Sequence, residues 1–271
     1  MARFAILAAA LVALPACGKK TEPAGGGNAP DPAYTGSKAG PPGGFPPPTN
    51  AKILTSGWGD ALLGPAKEQT ADNLKQIGLA MHIFHDANQA FPAGIYDKSG
   101  KALGLSWRVA LLPFLDQGTL YKQFKLDESW DSAHNKALIP MMPKVYASPG
   151  TTAVGHTYYR GFTGKDMLFA PPTRPGQPGM IAMGPRLAQI PDGSSNTALA
   201  VEAAESVPWT KPDALDVDPK DITKTVGGVY ENVFYVVRCD GSWTAVKKSI
   251  TPAALRDFAV MNDGKPIELP D

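Results

Sequence analysis

Apolar positions along the chain fall into a few short patterns separated by turn-forming residues. The longest runs from Ala71 to Pro92, where Leu74, Ile77, Met81 and Phe84 recur at three- and four-residue steps with Ala80 and Ala87 beside them. Asp72, Lys75, Gln76 and Asp86 occupy the rest of the wheel, so the spacing predicts an amphipathic helix lying on a core. Pro65 suits a first helical turn, and Phe91-Pro92 is the expected end. After it, Ile95-Tyr96 and Leu103 flank Lys98-Ser99-Gly100-Lys101, the pattern of a small hairpin.

Ser106 caps a short helix through Leu115 that bends at Pro113. Gly118-Thr119 opens another over Leu120 to Phe124, and Asp131 or Ser132 caps a third ending near Ile139. Lys144 to Ala147 reads as extended. Gly155 to Phe169 is aromatic and β-favouring, Ala170 to Arg186 is a Pro/Gly-rich loop, and Ala198 to Glu202 reads as a buried strand. Val207 to Lys224 is a long acidic loop. At the end, Val229 to Arg238 alternates as a strand, Asp240-Gly241 makes the turn and Ser242 to Lys247 returns. Thr251 then caps a last helix to about Met261, with Pro252 at its first position and Ile250 and Leu255 placed as a hydrophobic staple. One long helix followed by strands, loops and a terminal hairpin is an α+β arrangement.

The N-terminus carries a different signal. It has an apolar run from Phe4 to Leu14, too short to span a bilayer, ending in Leu14-Pro15-Ala16-Cys17. This resembles the bacterial lipobox, in which residues 1–16 are a signal peptide and Cys17 is diacylglycerated and usually acylated; an ordinary signal peptide with an incidental cysteine is the alternative. Eight Gly and eight Pro among the 33 residues from Gly18 to Asn50 describe a tether, residues 17–50, that stays disordered. It would reach roughly 30 Å as a flexible coil and about 110 Å at full stretch. Residues 51–271 are the expected folded head.

Composition narrows the function. The formal charge of +1 argues against a nucleic-acid partner held through phosphate neutralisation. With two cysteines, Cys17 and Cys239, there is neither a disulfide framework nor a structural zinc site. His82 and His85 sit three apart on the helix, but His134 and His156 complete no ligand pattern. No nucleophile elbow, P-loop or dinucleotide fingerprint is present. Glu202 and Glu205, and Asp213, Asp216 and Asp218, are solvated loop charges by default, with calcium in the acidic loop as the alternative. Asp192-Gly193 and Asp240-Gly241 are turn formers. Trp107, Trp130, Trp209 and Trp243 are either a sugar-binding face or core anchors. No catalytic constellation, cofactor site or metal site is expected.

Five blocks together resemble a large bacterial family of envelope proteins, domain of unknown function 1559. They are NLKQIGLAMHIFHDANQAFP (Asn73 to Pro92), LSWRVALLPFLDQGTLYKQFKLDESWD (Leu105 to Asp131), IPDGSSNTALAVEAAE (Ile190 to Glu205), VPWTKP (Val207 to Pro212) and NVFYVVRCDGSW (Asn232 to Trp243). The resemblance implies a head like that of type IV pilins or pseudopilins: a long helix on an antiparallel sheet, with a C-terminal hairpin and short helix. Typical members begin with a prepilin signal and a membrane-embedded hydrophobic half-helix, and many end with histidine, nine residues, then Asp-Gly. Here the lipobox and tether stand in place of that half-helix, the part through which pilins polymerise, and Tyr230 stands where the histidine would be. The expectation is a non-enzymatic lipoprotein of the cell envelope, membrane-bound through Cys17, with an envelope protein or a glycan as partner; a solute- or glycan-binding lipoprotein is the alternative.

Overall fold

The spine of the protein is helix α1 (Asp60–Asn88). The computed structural model describes residues 60–151, 153–217, 222–267 and 269; the expected signal peptide, Cys17, the tether and Asp218 lie outside them. α1 starts eleven residues before the predicted Ala71, and Pro65 lies inside it rather than in its first turn. The buried stripe extends upstream through Ala66 and Thr70 and includes Asn73. Two of these residues are polar, which hides the periodicity, and their burial becomes intelligible only through partners elsewhere in the chain. Ala87, expected on the stripe, is exposed. The helix also stops sooner than Phe91-Pro92, because Gln89 turns left-handed with φ 59°, the usual helix-ending conformation.

Then come β1 (Pro92–Tyr96), β2 (Leu103–Ser106) and the one-turn helices α2 (Trp107–Ala110), α3 (Gly118–Tyr121) and α4 (Ala133–Lys136). Ser106 and Ser132 cap α2 and α4 by accepting from the Arg108 and Asn135 amides. Lys144–Tyr146 is a tight 3-10 turn, not the predicted extended piece. β3 (His156–Arg160), β4 (Phe162–Thr163), β5 (Ile181–Met183), β6 (Ala198–Pro208), β7 (Leu215–Asp216), β8 (Val233–Arg238), β9 (Trp243–Lys247) and α5 (Pro252–Ala259) complete the order. β5 arises in a stretch whose sequence reads as loop; pairing with β1 across 86 residues (Ile95↔Ile181) is what makes it a strand.

Antiparallel strands in the order β3-β6-β8-β9 form the main sheet, β2-β1-β5 a smaller antiparallel sheet, and β4-β7 a short parallel pair. The fold is α+β, with a long N-terminal helix, antiparallel sheets and a short C-terminal helix. The apolar run of β8 follows from burial on both faces. Tyr235 and Val237 join the core under α1, with Leu74, Ile77, Met81 and Phe84. Phe234 and Val236 join a second core with Leu255 and Phe258 of α5. Thr251 caps α5 by accepting from the Ala254 amide, and Ile250 and Leu255 are both buried at the staple. Burying Leu255 and Phe258 contributes about 2 to 3 kcal/mol each.

α1 crosses the β8–β9 turn at very short range. A Cβ on Gly78 would stand 2.9 Å from Val237 Cγ2 and 3.3 Å from the Gly241 Cα and carbonyl oxygen. Gly241 itself has φ 83°, where side chains are disfavoured.

Candidate functional site

The two Asp-Gly turns singled out in the sequence are neighbours. Asp240 N–H donates to the Ser194 carbonyl at 3.1 Å, and Cys239 N–H donates to Thr197 O at 2.9 Å, so the β8–β9 turn is stitched to the segment after Gly193. Asp240 Oδ1 accepts from the Ser242 amide and hydroxyl at 2.8 and 2.6 Å. Asp192 reaches farther: Oδ2 accepts from Asp263 N–H and Oδ1 from Gly264 N–H, both at 2.8 Å. It clamps the chain beyond α5. Gly193 has φ 93°, consistent with the turn its sequence predicts.

The helix histidines flank this junction without forming a ligand set. His82 packs against Gly241 and Phe91. His85 Nε2 accepts from the Leu187 amide at 3.2 Å, which docks the 187–190 segment on α1. Among the described residues no three His, Cys, Asp or Glu side chains converge as a metal site would need. Asp213 is committed to cations, pairing with Arg160 and, at 3.2 Å, with Lys211.

Between α1 and the sheet lies a polar network that the sequence reading missed. Glu202, expected as a solvated charge, is fully buried on β6; Glu205 is exposed as expected. Glu202 Oε2 accepts from the Tyr235 amide at 3.0 Å, whereas Oε1 has no partner at bonding distance among the described residues. Burial raises its pKa to about 8, against the opposing pull of the Tyr235 amide, Thr70 and Lys248. Close by, Tyr230 donates to the Ala66 carbonyl at 2.7 Å, which leaves the Thr70 hydroxyl, also at 2.7 Å, as donor to Tyr230. Asn73 donates to the Ala147 carbonyl and the Tyr159 hydroxyl. Burial pushes the Tyr159 and Tyr230 phenols up, with Glu202 adding to the effect. Tyr230, ten residues before Asp240, thus serves as a tie between helix and sheet. The alternation of β6, with Val201 and Ala203 facing the second core, is the signal that could have placed Glu202 inward.

A second buried group was also missed. Arg108, on α2, is fully buried and donates to three carbonyls: Nε to Trp209 O at 2.7 Å, Nη1 to Tyr159 O at 3.0 Å and Nη2 to Lys211 O at 2.9 Å. Desolvation lowers its pKa to about 10, with Tyr146 and Asp213 opposing and Arg160 assisting. Its guanidinium lies 5.0 Å from the Trp107 ring centroid.

The tryptophans do not share a face. Trp107 and Trp209 are buried, Trp209 stacking on Tyr146 at 5.8 Å and donating to Ile139 O. Trp130 is half-buried. Trp243 is 37% exposed, its ring 5.7 Å from Tyr235 and from Lys75 Nζ, and it walls a shallow cleft of about 350 Å³ with Glu68, Asp72 and Lys75. The other thiol, Cys239, is buried and unpaired, and desolvation raises its pKa.

Residues 67–251 match the model of a family described as "Protein of unknown function (DUF1559)". No curated protein and no solved structure matches the chain.

Proposed function

Because the chain belongs to the DUF1559 family of proteins of unknown function, we propose that it is a non-enzymatic, lipid-anchored protein of the cell envelope whose pilin-like head has a structural or interaction role. The observation that carries this reading is Leu14-Pro15-Ala16-Cys17 at the end of a short apolar run, followed at once by the Gly/Pro-rich tether. Among the described residues no helix is long and apolar enough to cross a membrane, so a lipid on Cys17 is the anchor proposed. The pilin-like character rests on α1 lying across the main sheet with a hairpin and α5 behind it. The non-enzymatic reading is supported by Glu202, Arg108 and Cys239: all three are sealed in the interior, and Glu202 and Arg108 bond to backbone there. Cys17→Ala is expected to leave an uncleaved precursor without lipid label, and globomycin treatment of cells an uncleaved precursor of altered mobility that still carries it. Unchanged processing overturns the anchor.

A second reading, glycan binding, is favoured by the Trp243 cleft: a half-open indole face bordered by charged hydrogen-bonding groups is the chemistry that stacks on a sugar ring. A thermal-shift screen with envelope sugars tests it, because a ligand at a hundred times its dissociation constant adds about 2.7 kcal/mol. No shift, or a shift retained in Trp243→Ala, removes this reading.

A further inference from the structure

Beside Trp107, β1, β2 and the segments after β4 and before β7 line a cleft of about 390 Å³. That volume lies in the range of ordinary small-molecule sites. Its walls are mostly apolar: Trp107 and Phe169, stacked at 5.6 Å with 29° between their planes, together with Leu103, Pro171, Pro172 and Pro212. Rings and prolines hold their shape with little side-chain entropy to lose, so the walls are preorganised for a flat apolar body.

The charge around this cleft is unbalanced. Lys101 stands exposed at the rim and pairs with no carboxylate among the described residues. The one carboxylate lining the cleft, Asp213, is taken by Arg160 and Lys211. Asp97, in the same turn as Lys101, spends its Oδ1 on the Ser99 amide and hydroxyl. Behind the Trp107 wall sits Arg108, whose charge is met by carbonyl oxygens alone. Of the two charged residues that line the cleft, Asp213 is neutralised by two cations and Lys101 pairs with no carboxylate among the described residues. The uncommitted polar side chain at the rim is also a donor: Lys101 has an ammonium to give. The hydroxyl of Thr163, by contrast, is used on Phe169 O.

We infer that this cleft binds a small organic anion: a flat or short apolar body seated against the wall of Trp107, Phe169 and the prolines, with a carboxylate or similar group directed at Lys101. The site is separate from the Trp243 cleft and does not depend on the lipid anchor. A cation is disfavoured by Arg108 and Lys101, and a neutral polar solute would leave the apolar walls poorly used.

Isothermal titration calorimetry on the full chain in detergent, against a protein-free detergent blank, tests the inference with naphthoate as probe and naphthalenemethanol as its neutral counterpart. Naphthoate is expected to bind one to one and the alcohol about tenfold more weakly. Lys101→Glu is expected to weaken naphthoate about tenfold or more while leaving the alcohol unchanged, because Lys101 is exposed and its replacement disturbs no packing. Ala102→Trp, which fills the cleft, is expected to abolish binding of both, with unchanged circular dichroism. Absence of naphthoate binding above the blank, equal affinity for the two probes, an unchanged naphthoate affinity in Lys101→Glu, or binding that survives Ala102→Trp each overturns the proposal.

Discussion

Glu202 gives the protein an unusual dependence on pH, and Glu202→Gln isolates it. In the folded protein the carboxyl titrates at about 8 instead of its ordinary 4.5, because it sits fully buried between α1 and the sheet. A group whose pKa rises on folding binds its proton more tightly in the native state. Between the two values the native state therefore holds more protons than the unfolded chain, and stability falls as pH rises. Each pKa unit is worth about 1.4 kcal/mol. Integrating from about pH 5 to about pH 7, Glu202 alone removes about 2.5 kcal/mol, a large share of a typical domain's stability. The loss levels off above the folded pKa, near pH 8, and is absent well below 4.5. Glutamine keeps an oxygen to accept from the Tyr235 amide but has no proton to lose. Urea denaturation at half-unit steps from about pH 5 to 9 is expected to show wild-type stability declining through this window and Glu202→Gln nearly flat. The variant should be the more stable protein at about pH 8. Parallel curves for the two proteins would refute the buried, protonated carboxyl.

Three further substitutions test the junctions that hold the head together. Gly78→Ala raises helix propensity by about 1 kcal/mol, yet its methyl meets Val237 at 2.9 Å and the backbone of Gly241 at 3.3 Å; a net loss of about 1 kcal/mol in denaturation is expected, and a gain would show that the crossing can open. Asp192→Ala removes two hydrogen bonds to the Asp263 and Gly264 amides, at a cost of about 2 kcal/mol. Hydrogen exchange should accelerate at those two amides first, and unchanged protection there would contradict the clamp. Tyr230→Phe deletes the hydroxyl shared by Ala66 and Thr70 and is expected to cost about 1 to 2 kcal/mol, seen as a lower melting temperature; an unchanged one would show the network is not a tie.

Short-range physics accounts for what the sequence by itself determined. The apolar stripe from Leu74 to Phe84, the Ser106, Ser132 and Thr251 caps, the turn at Asp240-Gly241 and the hairpin between Ile95 and Leu103 each depend on residues within a few positions of one another, and the family blocks read from Asn73 to Trp243 fall entirely inside the matched span 67–251. Tertiary structure decided the rest. Ala66 to Asn73 continue α1 because Thr70 and Asn73 find Tyr230 and Tyr159 more than eighty residues away. Ile181–Met183 becomes a strand only beside β1. Glu202 stays buried and Arg108 replaces its hydration with three carbonyls because packing on both faces of β6 and beneath α2 leaves them no water. The charge of a buried group is set by everything that surrounds it, and those surroundings come from distant parts of the chain. Local patterns therefore yield elements and caps, whereas titration, close helix–turn contact and the lining of a cleft belong to the assembled fold.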